Sequence, residues 1–79
     1  MVEFSIAVRG LSDIAGFVEF AQVQPFTITV GNEYQQANGK GHMGLCALDY
    51  SQPTWIWSED CTPENWQAFC KDAEKYILI

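Results

Sequence analysis

The spacing of the hydrophobic residues changes repeatedly along this chain of 79 residues, and this pattern restricts its fold more than any other feature. Three stretches alternate apolar and polar residues with a period of two, as half-buried strands do: residues 3–8, 26–30 and 54–58. Two others place apolar residues at helical spacing, over residues 14–21 and 66–77. A chain that mixes both patterns in short segments is predicted to fold as an α+β domain.

Glycine, proline and capping residues separate the first segments. Gly10-Leu11 is expected to end the first strand, and Ser12 or Asp13 can cap the following helix by accepting hydrogen bonds from free backbone N–H groups. Gln24-Pro25 ends that helix, because the residue before a proline disfavours helical backbone. The next strand is predicted over residues 26–30, which are rich in β-branched side chains.

A hairpin signal follows this strand. Gly31-Asn32 fits a two-residue loop that needs a positive φ at its first position. Residues 33–37 are predicted as a polar edge strand with Tyr34 as its large anchor. Asn38-Gly39 then turns the chain into a short helix over residues 43–48.

The last helix has the clearest signals. Thr62 is its predicted N-cap, and Pro63 suits the first helical position, where a missing N–H costs nothing. Its buried stripe is expected to consist of five apolar residues: Trp66, Phe69, Cys70, Ala73 and Ile77. The predicted element order is therefore βαββαβα, in a single domain over residues 1–79.

Composition and charge exclude several classes of function. A hydrophobic content of 48% is ample for one core, so nothing in the chain is predicted to be disordered. The net charge of −6, with four basic residues, argues against nucleic acid and anionic membranes as partners, since both are bound mainly through Lys and Arg. No apolar run approaches the ~20 residues of a membrane span, and the first residues do not resemble a signal peptide. We expect a cytoplasmic protein.

The cysteines indicate neither disulfides nor a metal site. Cys46, Cys61 and Cys70 are an odd number without a Cys-x-x-Cys pair. A zinc site would need four well-spaced ligands, and the chain has these three thiols and the single His42, far apart in sequence. We predict reduced thiols that act as small apolar side chains, with no metal and no cofactor.

One segment resembles a known family. Within residues 38–48 the chain reads Lys-Gly-His-Met-Gly-Leu-Cys-Ala-Leu from Lys40 to Leu48. This resembles Lys-Ser-x-Met-Gly-Leu-x-x-Leu in HPr, the small phosphocarrier of the bacterial sugar phosphotransferase system. The family's segment forms a short helix on its partner-binding face. Phe17-Val18 and the strand at 26–30 are similar to HPr at the same spacing, without a gap. The resemblance implies an HPr-like open-faced β-sandwich, with a four-stranded antiparallel sheet and three helices on one face.

The residues that make HPr a phosphocarrier are missing. The family carries Gly-Leu-His-x-Arg-Pro at the start of its first helix, where the His takes phosphate from enzyme I. Here Gly10-Leu11 is followed by Ser12-Asp13-Ile14-Ala15, and the loop is about two residues shorter than in HPr. A phosphoserine is a stable ester rather than a transferable phosphoramidate, so Ser12 cannot replace the His. Gly41 stands where Gram-positive HPr carries its regulatory Ser. We therefore predict no catalytic residue and no enzymatic activity.

The expected binding residues come from the same resemblance. In HPr the start of the first helix lies beside the short second helix, which implies a binding surface made of Ser12, Ile14, His42, Met43 and Ala47. The leading interpretation is a non-catalytic HPr-like protein that binds a phosphotransferase-system component, a transcription factor or a second copy of itself. Two alternatives stay open. The chain could be a phosphocarrier that uses His42 or Ser12, or an HPr scaffold reused for an unrelated role. Simpler interpretations are an exposed His42 without a role and a Ser12 that caps the helix.

Two further groups of residues were candidates for function. Trp55 and Trp57 share one face of their strand and Ile56 the other, and we predict that the tryptophans point outward. There they would lie over small residues, namely Ser5, Ala7, Thr27 and Thr29, and form an apolar patch suited to homodimerisation. The carboxylates of Glu59, Asp60 and Glu64 are predicted to be solvated surface groups, because an exposed loop does not shift their pKa values as acid–base catalysis requires.

Overall fold

The computed structural model of the protein describes residues 4–78 and has the predicted α+β class. A four-stranded antiparallel sheet and three α-helices make up most of it. The elements are β1 (Phe4–Val8), β2 (Gly10–Leu11), α1 (Ile14–Gln22), β3 (Thr29–Gly31), β4 (Gln36–Asn38), α2 (His42–Cys46), β5 (Thr54–Ser58), α3 (Pro63–Ala73), a 3-10 helix (Glu74–Tyr76) and β6 (Ile77–Leu78). Glu3, the first residue of the first predicted strand, lies outside the described residues.

The strand order in the main sheet is β1-β5-β3-β4, which places β5 between β1 and β3. Ile56 of β5 lies opposite Ile6 of β1 and Val30 of β3. The predicted polar edge strand at 33–37 is observed to start three residues later, as β4 over Gln36–Asn38, and its edge position is confirmed. The central strand thus brings together segments from both halves of the chain.

The hydrophobic core lies between this sheet and the helices. Ile56 and Val30 from the sheet are fully buried with Phe17 of α1 and Leu45 of α2. Phe69 of α3 joins four other rings: Phe17, Phe20, Phe26 and Trp66. All three helices therefore contribute to one core that covers one face of the sheet.

The strand predicted at 26–30 begins later than its pattern indicates. β3 starts at Thr29, because the Asp60 carboxylate accepts hydrogen bonds from the Thr27 backbone N–H and hydroxyl, both at 2.8 Å. Thr27 is therefore held by a side chain instead of a neighbouring strand. Phe26 and Ile28 are buried all the same.

The hairpin between β3 and β4 is longer than the predicted two-residue loop. The Asn32 side-chain carbonyl accepts hydrogen bonds from the backbone N–H groups of Tyr34 and Gln35, each at 2.8 Å. Gly31 belongs to β3 and lacks the predicted positive φ. A Cβ on Gly31 would lie 2.6 Å from the Gln35 carbonyl oxygen, so glycine is needed there for space. Tyr34 is 76% exposed and does not pack against the core, so the prediction that it anchors the edge strand is wrong.

Gly10-Leu11 does not simply end the first strand. These residues form β2 and pair with β6, so that Gly10 lies opposite Leu78 and Leu11 opposite Ile77. Ile77 is buried as predicted, but in β6 and not in the last helix. A second, two-stranded sheet thus joins the segment between β1 and α1 to the C-terminal end of the described chain.

The helix caps are partly as predicted. Thr62 caps α3 by accepting a hydrogen bond from the Asn65 N–H, and Pro63 is the first helical residue. At α1 the cap is Asp13, which accepts from the Gly16 N–H at 3.0 Å. Of the two predicted cap candidates, Asp13 is confirmed and Ser12 is not the cap. The second helix, α2, is shorter than expected and ends at Cys46.

Candidate functional site

The start of α1 is held by the end of the chain. The Ser12 N–H donates to the Tyr76 carbonyl at 2.9 Å, and the Ser12 hydroxyl donates to the Lys75 carbonyl at 3.4 Å. Ile14 is half-buried and packs against the core. The Asp13 carboxylate accepts a hydrogen bond from the Gly16 N–H and places a negative charge at the start of α1.

The start of α2 lies beside the end of α1. The Gln22 side-chain amide donates to the Lys40 carbonyl at 3.1 Å, and the Lys40 ammonium donates to the Gln24 carbonyl at 2.9 Å. A nine-residue helix is about 13 Å long, so Ser12 and His42 lie near opposite ends of α1.

The other predicted binding residues belong to α2 or follow it. His42 is exposed, and its Nδ1 lies 3.7 Å from the Cys46 Sγ. Met43 is 86% exposed, and Ala47 is exposed just beyond the helix. The structure thus groups His42, Met43 and Ala47, whereas Ser12 is held by the C-terminal segment.

The carboxylates near β5 have two different roles. Glu59 and Glu64 are exposed, as predicted. Asp60 is also exposed, but it accepts hydrogen bonds from Thr27 and, at 3.2 Å, from the Ser58 hydroxyl. The hydrogen bonds from Thr27, with a smaller effect of Ser58, hold the pKa of Asp60 below its ordinary value. Asp60 therefore fastens the segment before β3 to the end of β5, a role that the prediction of a solvated group missed.

The thiols differ in their surroundings. Cys61 and Cys70 are partly buried against the core, and burial raises the pKa of both. Cys46 is a free thiol as well, but it is exposed at the end of α2. Within residues 4–78 no three His, Cys, Asp or Glu side chains are grouped as a metal site would need.

Tyr50 connects the loop after α2 to that helix. Its hydroxyl donates to the Leu45 carbonyl at 2.6 Å. Burial, with a smaller contribution from nearby Cys46, raises the pKa of Tyr50 to about 12. Tyr50 therefore stays protonated at neutral pH and fixes α2 by donating this hydrogen bond.

The face of the sheet opposite the core carries two tryptophans. Along β5, Ile56 is fully buried, while Trp55 is 37% exposed and Trp57 is partly exposed. The predicted outward direction of both indoles is confirmed. The residues opposite them are small: Ser5 and Thr29 pair with Trp57, and Ala7 and Gly31 pair with Trp55. Thr27, the fourth small residue expected there, precedes β3 and is bonded to Asp60.

The two indoles form a shallow cleft with the hairpin loop. The cleft has a volume of about 260 Å³ and is lined by Ser5, Asn32, Glu33, Trp55 and Trp57, which we call the tryptophan cleft. Its lining is mainly apolar, and its charged group is the exposed carboxylate of Glu33. Sequence reasoning missed Asn32 and Glu33. Gly31 pairs with Trp55, which brings the hairpin loop to the indoles. This pairing could have indicated that Asn32 and Glu33 line the cleft.

Trp55 and Trp57 also differ from the third tryptophan in their aromatic contacts. Trp66 stacks on Phe69 with ring centres 5.2 Å apart and lies 6.3 Å from Phe4. Within residues 4–78, neither Trp55 nor Trp57 packs against another aromatic ring or a cation. The cation–π contact of these residues joins the Lys75 ammonium to the Tyr76 ring, at 5.6 Å from its centre. The exposed parts of these indoles therefore lack an aromatic or cationic partner within the described residues.

Comparison of the chain with protein-family models, with curated proteins and with solved structures finds no match. None of the helices described between residues 4 and 78 is long and apolar enough to cross a bilayer.

Proposed function

We propose that this protein is a non-catalytic, HPr-like binding module that contacts another protein through the helix-free face of its sheet. The observation that carries this function is the pair of partly exposed indoles on β5, which lie over small residues and lack aromatic partners within residues 4–78. Aromatic side chains in an apolar surface cleft are typical of the centres of protein interfaces.

The architecture supports the HPr-like part of this proposal. The four-stranded antiparallel sheet, the three helices and the Lys40–Leu48 motif that contains α2 agree with what the resemblance implies. The two-stranded β2-β6 sheet is an addition to the predicted order. The three cysteines of the protein are free thiols, which suits a reducing compartment. A cytoplasmic location is therefore part of the proposal.

The start of α1 supports the absence of phosphate transfer. Asp13 fills the helix N-terminus with a carboxylate, whose negative charge repels a phosphate. The Ser12 hydroxyl already donates to a backbone carbonyl, and no neighbouring base activates it within the contacts of residues 4–78. His42 has one cation nearby in sequence, Lys40, whose ammonium donates to the Gln24 carbonyl. Nothing in this geometry favours the alternative phosphocarrier.

The α2 part of the set expected from HPr, namely His42, Met43 and Ala47, is a second surface for the same binding function. Met43 is the most exposed of the large apolar side chains recorded on the described chain, at 86%, and it lies between His42 and Gly44 at the start of α2. The partner at either surface can be a phosphotransferase-system component, a transcription factor or a second copy of this chain. The tryptophan cleft is the better candidate because two large aromatic side chains contribute to it.

Site-specific photo-cross-linking in cells tests this function. A photoreactive amino acid is placed at Ala7, which is exposed beside Trp55, and in separate variants at Met43 and at Glu19 of α1. We expect a discrete cross-linked species from Ala7 that disappears in Trp55→Ser/Trp57→Ser, and none from Glu19. Cross-links from Met43 alone would move the binding surface to the helices. Absence of cross-links from both Ala7 and Met43 would exclude the proposed binding function.

A further inference from the structure

We infer that the tryptophan cleft binds an arginine side chain presented by a basic partner protein. The cleft belongs to the face assigned above, so this inference rests on the proposed function and specifies the chemistry of its partner. Three properties favour this occupant: the volume of the cleft, the side chains that line it and the net charge of the chain.

The size of the cleft suits one side chain. Its volume of about 260 Å³ lies below the ~300–1,000 Å³ of pockets that hold drug-sized ligands. It is lined by Ser5 of β1, by the indoles of Trp55 and Trp57, and by the loop residues Asn32 and Glu33. A single side chain that reaches in from a partner's surface therefore fits better than a free organic ligand.

The lining attracts a cation. The face of an indole carries negative charge density and binds a guanidinium or ammonium group within about 6 Å of the ring centre. Neither Trp55 nor Trp57 has such a cation from the described residues, and the Glu33 carboxylate adds a full negative charge beside them. Arginine is favoured over lysine because its planar guanidinium both stacks on a ring and hydrogen-bonds to a carboxylate.

Asn32 holds the loop in position and leaves the recognition to Glu33. The Asn32 side-chain oxygen accepts from the N–H groups of Tyr34 and Gln35, and its amide donates to the Asp49 carbonyl at 3.4 Å. These bonds occupy its polar atoms, whereas Glu33 is exposed beside the indoles. The Glu33 carboxylate is thus the charged group of the cleft that can pair with a guanidinium.

The charge of the chain favours a basic partner over a second copy. Ten acidic and four basic residues give a net charge of −6. In a symmetric face-to-face dimer the lining of each cleft brings a second Glu33 carboxylate to the interface, and these like charges disfavour that assembly. A basic partner supplies both the missing cation and the opposite net charge, which also accelerates encounter.

The test is an NMR titration with a short peptide, Gly-Arg-Gly-Arg-Gly, and with the same peptide carrying citrulline, the neutral isostere of arginine. We expect the arginine peptide to shift the indole N–H signals of Trp55 and Trp57 saturably, while Trp66, which is buried, does not move. The citrulline peptide is expected to leave all three signals in place. Glu33→Gln should weaken binding about fivefold. Glu19→Gln, an equal charge change on the exposed part of α1, should leave the affinity unchanged.

Three results would overturn the inference. Equal binding of the two peptides would show that the cleft does not select a cation. Unmoved signals with either peptide at millimolar concentration would show that it does not bind arginine. Sedimentation of the free protein as a dimer that Trp55→Ser/Trp57→Ser dissociates would assign the face to a second copy. Cross-links from Ala7 that persist in any of these cases would keep the binding face and remove only the arginine.

Discussion

The two faces of β5 have opposite surroundings although they belong to one strand of five residues. On one face Thr54, Ile56 and Ser58 are buried beneath the helices. On the other, Trp55 and Trp57 lie partly open to solvent. The largest side chains of the strand are therefore outside, and two small polar ones are inside. The register of the sheet, and not the size of the side chain, decides which face a residue occupies.

The core explains why the indoles are excluded from it. Phe17, Leu45 and Phe69, one from each helix, are buried in the same core as Ile56. Extra volume in a packed core forces side chains out of their preferred rotamers. On the outer face, Ser5 and Ala7 leave the indoles room to lie over neighbouring strands. Within residues 4–78 no helix covers these indoles, so this apolar surface is available for binding.

The largest effect expected from this comparison is a difference in stability between single variants on the two faces of β5. Ile56→Ala should lower the free energy of unfolding by about 2–5 kcal/mol, because it opens a cavity in the centre of the core. Trp55→Ser should cost roughly 1 kcal/mol, the scale of a cross-strand side-chain contact. Urea unfolding of both variants beside the wild type measures the difference. An equal loss from the two substitutions would contradict the assignment of faces.

A smaller effect is expected from Asp60, which joins the end of β5 to the segment that leads Phe26 and Ile28 into the core. Its pKa is lower in the folded state than the ordinary value of 3.8, mainly because it accepts two hydrogen bonds from Thr27. Its contribution to stability is therefore present above pH 3.8 and is lost as the pH falls through the lower folded-state pKa.

Asp60→Ala should accordingly lower the melting temperature at pH 7, and the difference from the wild type should shrink in acid. Thermal unfolding between pH 7 and pH 2 measures it. Glu59→Ala is the matched control, because Glu59 is the exposed carboxylate next in sequence. A pH-independent difference for Asp60→Ala would mean that the ionised carboxylate is not what holds Thr27.

The smallest expected effect concerns the helix side. Incubation with enzyme I and phosphoenolpyruvate should leave the mass of the protein unchanged, because no His follows Leu11 and Asp13 fills the start of α1. Intact-mass spectrometry at neutral or basic pH, where phosphohistidine survives, measures this. A gain of one phosphate that is absent in His42→Ala would transfer the function from the open face to the start of α2.

Local patterns in the sequence predicted β5 and α3 well. The alternation through Ile56 gave both the strand and the direction of its tryptophans, and Thr62-Pro63 gave the start of the helix. These signals lie within a few residues of the elements they describe. The same holds for the α+β class and for the edge position of β4.

The remaining features depend on contacts between residues far apart in the chain. Thr27 is held by Asp60, and Ser12 by the carbonyl of Lys75, so neither the start of β3 nor the surroundings of Ser12 could be predicted from neighbouring residues. For the same reason the candidate site was predicted only in part. The indoles follow from the period of β5, but Glu33 joins them only through the strand pairing of Gly31 with Trp55.

The central position of β5 also has a consequence for how the chain folds. β1 and β3 do not pair with each other, and each has β5 as its partner. β1 can therefore form its strand pairing only once β5 is present, with Val8 opposite Thr54 and Phe4 opposite Ser58. During synthesis, β1 and β3 lack the strand that lies between them until β5 has emerged from the ribosome. Pairings between such distant segments slow folding, since the intervening loop loses entropy before contacts compensate for it. We expect the main barrier to folding to be the insertion of β5 between its two neighbours.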